Sequence, residues 1–163
     1  MKKTIAFFSA LVIALAGSVN GYADPDAPGT VLIQVQGGAF PGMGALLSAN
    51  ISMANIGKGH LYGGVQGGFN LRTGAVTDSR RQDLSVNSRF TYGFNLSRVI
   101  EFHFGGLAGI AATSIDGSDK ALKFCYGGLG GFRLNFTRSF GMVLEGCYSP
   151  YLPYASAGLA FRF

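Results

Sequence analysis

The chain has 163 residues, among them 26 Gly, 14 Phe, 7 Tyr and no Trp, with 13% charged residues and a formal net charge of +5. Glycine stands at about twice, and charge at about half, the usual share. With 48% apolar residues, that excludes a disordered segment and an ordinary well-solvated globule. Glycine follows no Gly-X-Y period, so collagen is excluded as well. Few charges beside many glycines and aromatics fit a chain that lives in lipid, as helices or as strands.

The first element is a cleavable signal peptide over residues 1–23. Lys2 and Lys3 form a basic start, residues 4–17 are apolar and uncharged, and Gly21 and Ala23 supply small residues at the −3 and −1 positions of a cleavage site. Export permits disulfides. The mature chain is expected to be residues 24–163, with 24–29 a short linker and 30–163 one domain. A spanning helix needs about 20 mostly apolar residues, and no such stretch follows Ala23. A closed barrel is the remaining way to satisfy backbone polar groups in lipid.

From residue 30 onward the chain alternates with period two in eight segments: 30–37, 45–55, 61–72, 84–96, 101–113, 121–135, 140–149 and 154–163. In the fourth, Val86, Phe90, Tyr92, Phe94 and Leu96 share one face, while Ser85, Asn87, Arg89, Thr91 and Asn95 share the other. The same parity puts Arg72, Arg89, Glu101, His103, Lys123, Arg133, Glu145 and Arg162 on the polar faces. A Lys or Arg facing lipid near mid-membrane costs about 2–4 kcal/mol, so the polar faces are assigned to the lumen. A soluble barrel would carry the opposite arrangement. The expected fold is therefore all-β: an eight-stranded antiparallel up-and-down transmembrane β-barrel behind a signal peptide.

The connections alternate in length. Residues 56–60, 97–100 and 136–139 are tight, residues 73–83 and 114–120 are longer and polar, and residues 38–44 and 150–153 are rich in Gly or Pro. Short periplasmic turns and longer outer loops put both termini on the periplasmic side. The first long loop holds the basic pair Arg80 and Arg81, a surface for lipid phosphate, for an external partner, or for solvent alone.

Several chemistries are open in the lumen. Eight strands leave an interior just wide enough for side chains to fill, so a polar plug is expected, with Glu145 paired to Arg133 or Arg89 and Glu101 to Arg162 or His103. The competing arrangement is a narrow conduit for small solutes or anions, with lumen glycines such as Gly64, Gly105, Gly109, Gly131 and Gly158 leaving room. Cys125 and Cys147 share lumen parity in adjacent strands, where a disulfide and two free thiols both fit. No cofactor, metal site or nucleic-acid partner is expected. His60 and His103 fall at the periplasmic side, away from the outer-loop acids, so no enzymatic activity is expected.

The last segment, Tyr154-Ala-Ser-Ala-Gly-Leu-Ala-Phe-Arg-Phe163, resembles the C-terminal strand signal of outer-membrane barrels, with Phe163 at the terminal aromatic position and Phe161, Leu159 and Tyr154 alongside. Over residues 30–163 the chain resembles the small eight-stranded outer-membrane barrels of the OmpA/OmpX/OmpW-like group. That resemblance implies location in the bacterial outer membrane, contact with its lipid and with the barrel-insertion machinery, and a monomer. It implies a structural or surface-interaction role, with a small channel as the alternative. No long protruding strands are expected.

Overall fold

The computed structural model describes residues 27–73, 79–97, 99–116 and 121–163. The expected signal peptide over residues 1–23, Asp78 of the first long connection and Asp119 of the second lie outside these. Eight strands form: β1 (Val31–Ala39), β2 (Met43–Ile56), β3 (Gly59–Thr73), β4 (Arg80–Asn95), β5 (Ile100–Ile115), β6 (Ala121–Asn135), β7 (Phe140–Tyr148) and β8 (Ala155–Arg162). Each pairs antiparallel with the next, and β8 closes on β1. At the seam Leu32 faces Arg162 and Gln36 faces Gly158, and Val31 and Phe163 exchange both backbone hydrogen bonds at 2.9 Å.

Alternation sets the two faces. In β4, Asp83, Ser85, Asn87, Arg89 and Thr91 are buried, while Leu84, Val86 and Phe90 are exposed. The same holds around the barrel, with Val65, Phe104, Ile110, Phe132 and Leu144 facing out. The outer surface is thus apolar and the interior polar, the inverse of a water-soluble protein. Aromatic contacts gather on this outer face near the tight-turn end, where Phe102 packs against Phe94 and Phe132 at centroid distances of 5.4 and 5.2 Å.

The strands are longer than the alternation predicts at one end. The first long connection shrinks because β3 runs to Thr73 and β4 begins at Arg80. Arg80 and Arg81 are therefore strand residues, paired with Thr73 and Arg72, and not a loop tip. At the C-terminus β8 begins at Ala155, which leaves Tyr154 in the preceding connection. β7 is shorter than β6 before it. β6 pairs with β7 only from Gly128 onward, whereas it pairs with β5 up to Ala121. Residues 121–124 are exposed on both faces, so the end of the β5–β6 hairpin stands clear of β7.

The lumen glycines do not leave room. A Cβ on Gly64, Gly105, Gly109, Gly131 or Gly158 would lie 2.0–2.2 Å from a carbonyl oxygen of the neighbouring strand. These glycines are required by close approach of backbones in a strongly coiled sheet. Several face an asparagine across the ladder: Gly64 opposite Asn50, Gly44 opposite Asn70, Gly109 opposite Asn87 and Gly141 opposite Asn135. The amide oxygen of each Asn lies over its glycine, so the side chain fills the space that the missing Cβ leaves.

Gly158→Ala is expected to destabilise the barrel by about 1–3 kcal/mol through overpacking. Gly128→Ala, on the outer face with its nearest neighbour 3.9 Å away, is expected to change stability by less than about 0.5 kcal/mol. Urea unfolding in detergent micelles measures both, and equal effects would show that lumen glycines are not packing sites.

Candidate functional site: the lumen ion network and the mouth

The polar residues of the lumen form three tiers. Nearest the tight-turn end, Glu101 of β5 accepts hydrogen bonds from Arg133 Nη1 and Arg162 Nη2, one on each carboxylate oxygen. The Arg133 guanidinium also lies 5.5 Å from the ring centroid of Tyr62, a cation–π contact away from water. Tyr62, Leu32 and Ala160 make a small apolar cluster at this level.

The middle tier centres on Glu145 of β7. Arg89 donates to both of its oxygens, Nη1 to Oε1 at 3.0 Å and Nη2 to Oε2 at 2.5 Å, and Nη1 also reaches Gln66 Oε1 at 2.9 Å. His103 Nε2 donates to Glu145 Oε2 at 3.0 Å. A bidentate fork of this kind fixes both side chains. Of the partners expected, Glu145 takes Arg89 and Glu101 takes Arg162. Arg133 goes to Glu101 and His103 to Glu145, because the stagger of the barrel and not sequence order sets the heights. Gln34, Ser48 and Asn50 extend the tier as a chain in which Ser48 donates to Gln34 at 3.0 Å and Asn50 to Ser48 at 3.3 Å.

Above these ions the lumen turns apolar. Leu46, Leu107, Ala111, Cys125, Leu129 and Cys147 form one buried cluster, and its seventh member, Leu152, comes from the last connection, residues 149–154. The sequence marks residues 150–153 of that connection only as Pro-containing, yet it folds inward as a strap across the mouth. Cys125 and Cys147 are both free and buried. Cys147 faces Leu129 across the ladder, four residues from Cys125, and the Cys125 Sγ instead sits 3.5 Å from Ser149 Oγ. The disulfide is therefore not formed, because the register offsets the two thiols.

The mouth itself holds the third tier. Asp83, wholly buried, accepts from Thr113 Oγ1 at 2.7 Å and from Arg81 Nε at 2.9 Å, and Arg72 Nε stands 3.9 Å from its other oxygen. Arg72 donates to Leu152 O at 3.1 Å and Arg81 to Pro150 O at 3.4 Å, so both arginines hold the strap. Lys123 keeps inward parity but is exposed, because it lies where β6 has passed the end of β7. It does not belong to the lumen. The deep network then sets Arg89, Arg133 and Arg162 against Glu101 and Glu145, an excess of one cation, whereas strand parity assigns an excess of three. Asp83 was missed, although the parity of Ser85 and Asn87 points to it once β4 is extended.

No protein-family model matches the sequence, and no curated protein matches it. Solved structures do. The crystal structure of Neisserial surface protein A superposes with a TM-score of 0.60 at 15% identity, covering 82% of this chain and 94% of that one. The outer-membrane protein Ail of Yersinia pestis in a phospholipid nanodisc gives 0.53 at 14% identity, over 84% of this chain and 100% of that one. A de novo designed transmembrane β-barrel gives 0.53 at 16% identity, over 84% and 98%. The fold is that of the small eight-stranded outer-membrane β-barrels.

Removing one partner of a buried ion cluster leaves the others uncompensated. Glu101→Gln is expected to destabilise the folded barrel by about 3–5 kcal/mol, and Lys123→Gln by less than about 0.5 kcal/mol. Equilibrium unfolding in micelles distinguishes them.

Proposed function

We propose that this chain is a bacterial outer-membrane barrel with a structural or surface-interaction role, its lumen closed by its own side chains. The observation that carries the reading is the stack of Glu101 with Arg133 and Arg162, Glu145 with Arg89 and His103, and Leu152 above them. Both oxygens of Glu101 and of Glu145 are taken by arginines, so the carboxylates offer a passing cation no free charge, and an apolar layer above them excludes hydrated ions. A closed interior leaves the loop end as the working surface. There the β5–β6 hairpin presents Leu122, Phe124 and Tyr126 outward, all well exposed, beside a strand edge that β7 does not cover. Uncovered edges take up extended segments of other chains. No enzymatic role is proposed. Outer-membrane lipid and the barrel-insertion machinery, addressed by β8 with its outward Leu159 and Phe161, are the partners that this reading includes, and the protein acts as a monomer.

One observation favours the second reading, a narrow conduit for small solutes or anions. Gln34 Nε2, Gln66 Nε2, Arg89 Nε and His103 Nδ1 are buried and find no hydrogen-bond partner among the described residues. Groups of that kind are usually hydrated, and a hydrated lumen is one step from a conducting one.

Planar-bilayer recording separates the two. The wild-type barrel is expected to show no stable open state. Glu145→Gln, which unties Arg89 and His103 at once, is expected to produce transient openings. A steady wild-type conductance above leak would establish the conduit instead.

A further inference from the structure

We infer that the barrel mouth carries a releasable stopper: Leu152 is its plug, the apolar layer beneath is its socket, and Arg72 and Arg81 are its latch. The inference concerns motion of the mouth and does not depend on whether the deeper lumen conducts.

The strap is attached differently from the strands. Pro150 and Pro153 have no N–H to give, and Tyr154 supplies the backbone bonds described for the segment. Its N–H donates to Phe40 O at 2.6 Å, and its carbonyl accepts from Cys147 N at 2.9 Å. Between Ser149 and Tyr154 the strap is held by side chains: Leu152 and Pro153 pack inward, Pro153 over Gly38 and Gly44, and two arginines hold it from outside. Arg72 and Arg81 face each other directly across the β3–β4 ladder, an arrangement of like charges that is unfavourable by itself. It is compensated by Asp83 between them and by the strap. Each arginine reaches one strap carbonyl, and each guanidinium lies over a tyrosine of the strap, Arg81 over Tyr151 at 5.4 Å and Arg72 over Tyr154 at 6.0 Å. Both latch residues remain partly open to solvent, with 17% and 32% of their side-chain surface exposed. The hold is therefore electrostatic and close to water, where such contacts are weakest.

The plug is the reverse. Leu152 is fully buried against Leu46 and Gly68, where it occupies the space that a Cβ on Gly68 would take. A buried hydrophobe on a segment whose described backbone bonds are confined to Tyr154 at its end, tied down by two solvent-edge arginines, is a part that can lift about that end. The segments that open locally are those with few backbone bonds. Lifting uncovers the socket and with it two thiols, Cys125 and Cys147, which the closed mouth buries. The chain thus carries its own reporter of the open state.

The experiment is the rate of alkylation of Cys125 and Cys147 by N-ethylmaleimide, followed by mass spectrometry on the folded full-length barrel in micelles. Closed wild-type protein is expected to react slowly. Arg81→Gln, which removes one latch arm while Asp83 keeps Thr113 and Arg72, and Leu152→Ser, which removes the plug, are each expected to speed both thiols by roughly tenfold or more. A thiol placed at Ala160, buried at the opposite end, reports general loosening, and its rate should stay unchanged in both variants. Acceleration at Ala160→Cys in step with the native cysteines would overturn the inference by showing global unfolding. Variants no faster than wild type, or a wild type that reacts as fast as a free thiol, would overturn it as well.

Discussion

A backbone amide surrounded by hydrocarbon has no water to bond, and an unpaired one costs several kcal/mol. The whole architecture answers to that cost. Each of the eight strands finds both neighbours, and the seam between β1 and β8 is paired from Leu32 to Ala39 against Arg162 to Ala155, the whole of β8. Once the sheet is closed, side chains have only two directions in which to point. Outward positions become Val, Leu, Ile and Phe, and the polar residues must share a cylinder too narrow for bulk water.

That confinement explains the form of the ion network. Burying one guanidinium and one carboxylate alone is seldom favourable. Here Glu101 serves two arginines, Arg89 serves Gln66 and both oxygens of Glu145, and Arg133 adds a tyrosine face. The same narrowness demands the lumen glycines. Where strands coil closely enough to close an eight-stranded barrel, a Cβ would meet the next strand's carbonyl, and asparagines opposite fill part of the gap. Near the mouth the polar solution gives way to an apolar one, with the strap's Leu152 completing a layer begun by six strand residues.

Much of this was legible in the sequence because period two is a local signal. Val86, Phe90 and Tyr92 against Asn87, Arg89 and Thr91 fix a face without knowledge of any neighbour. Arg133 and Glu145 were placed inward in the same way. What was not legible depends on the stagger around the barrel. His103 hydrogen-bonds Glu145 from 42 residues away and not Glu101 on its own strand, and Cys125 misses Cys147 because the β6–β7 register runs Leu129 opposite Cys147. Lys123 has the right parity at the wrong height. Residues 149–154 carry Pro at both ends of Tyr151-Leu152 and so resemble an ordinary turn, since nothing local tells a Leu that it will fold into a mouth formed by other strands. Asp83, Arg80 and Arg81 were lost to a loop because charge outweighed alternation at the strand ends.

The division between an apolar outside and an ionic inside can be measured directly, since the chain contains no tryptophan and any single introduced Trp is the sole reporter of its kind. In bilayers containing brominated acyl chains, Phe90→Trp and Phe104→Trp, both outward, should be strongly quenched. Tyr62→Trp, which looks inward and is fully buried, should keep its emission. Strong quenching of the Trp at position 62, or none at positions 90 and 104, would contradict the arrangement on which the rest depends.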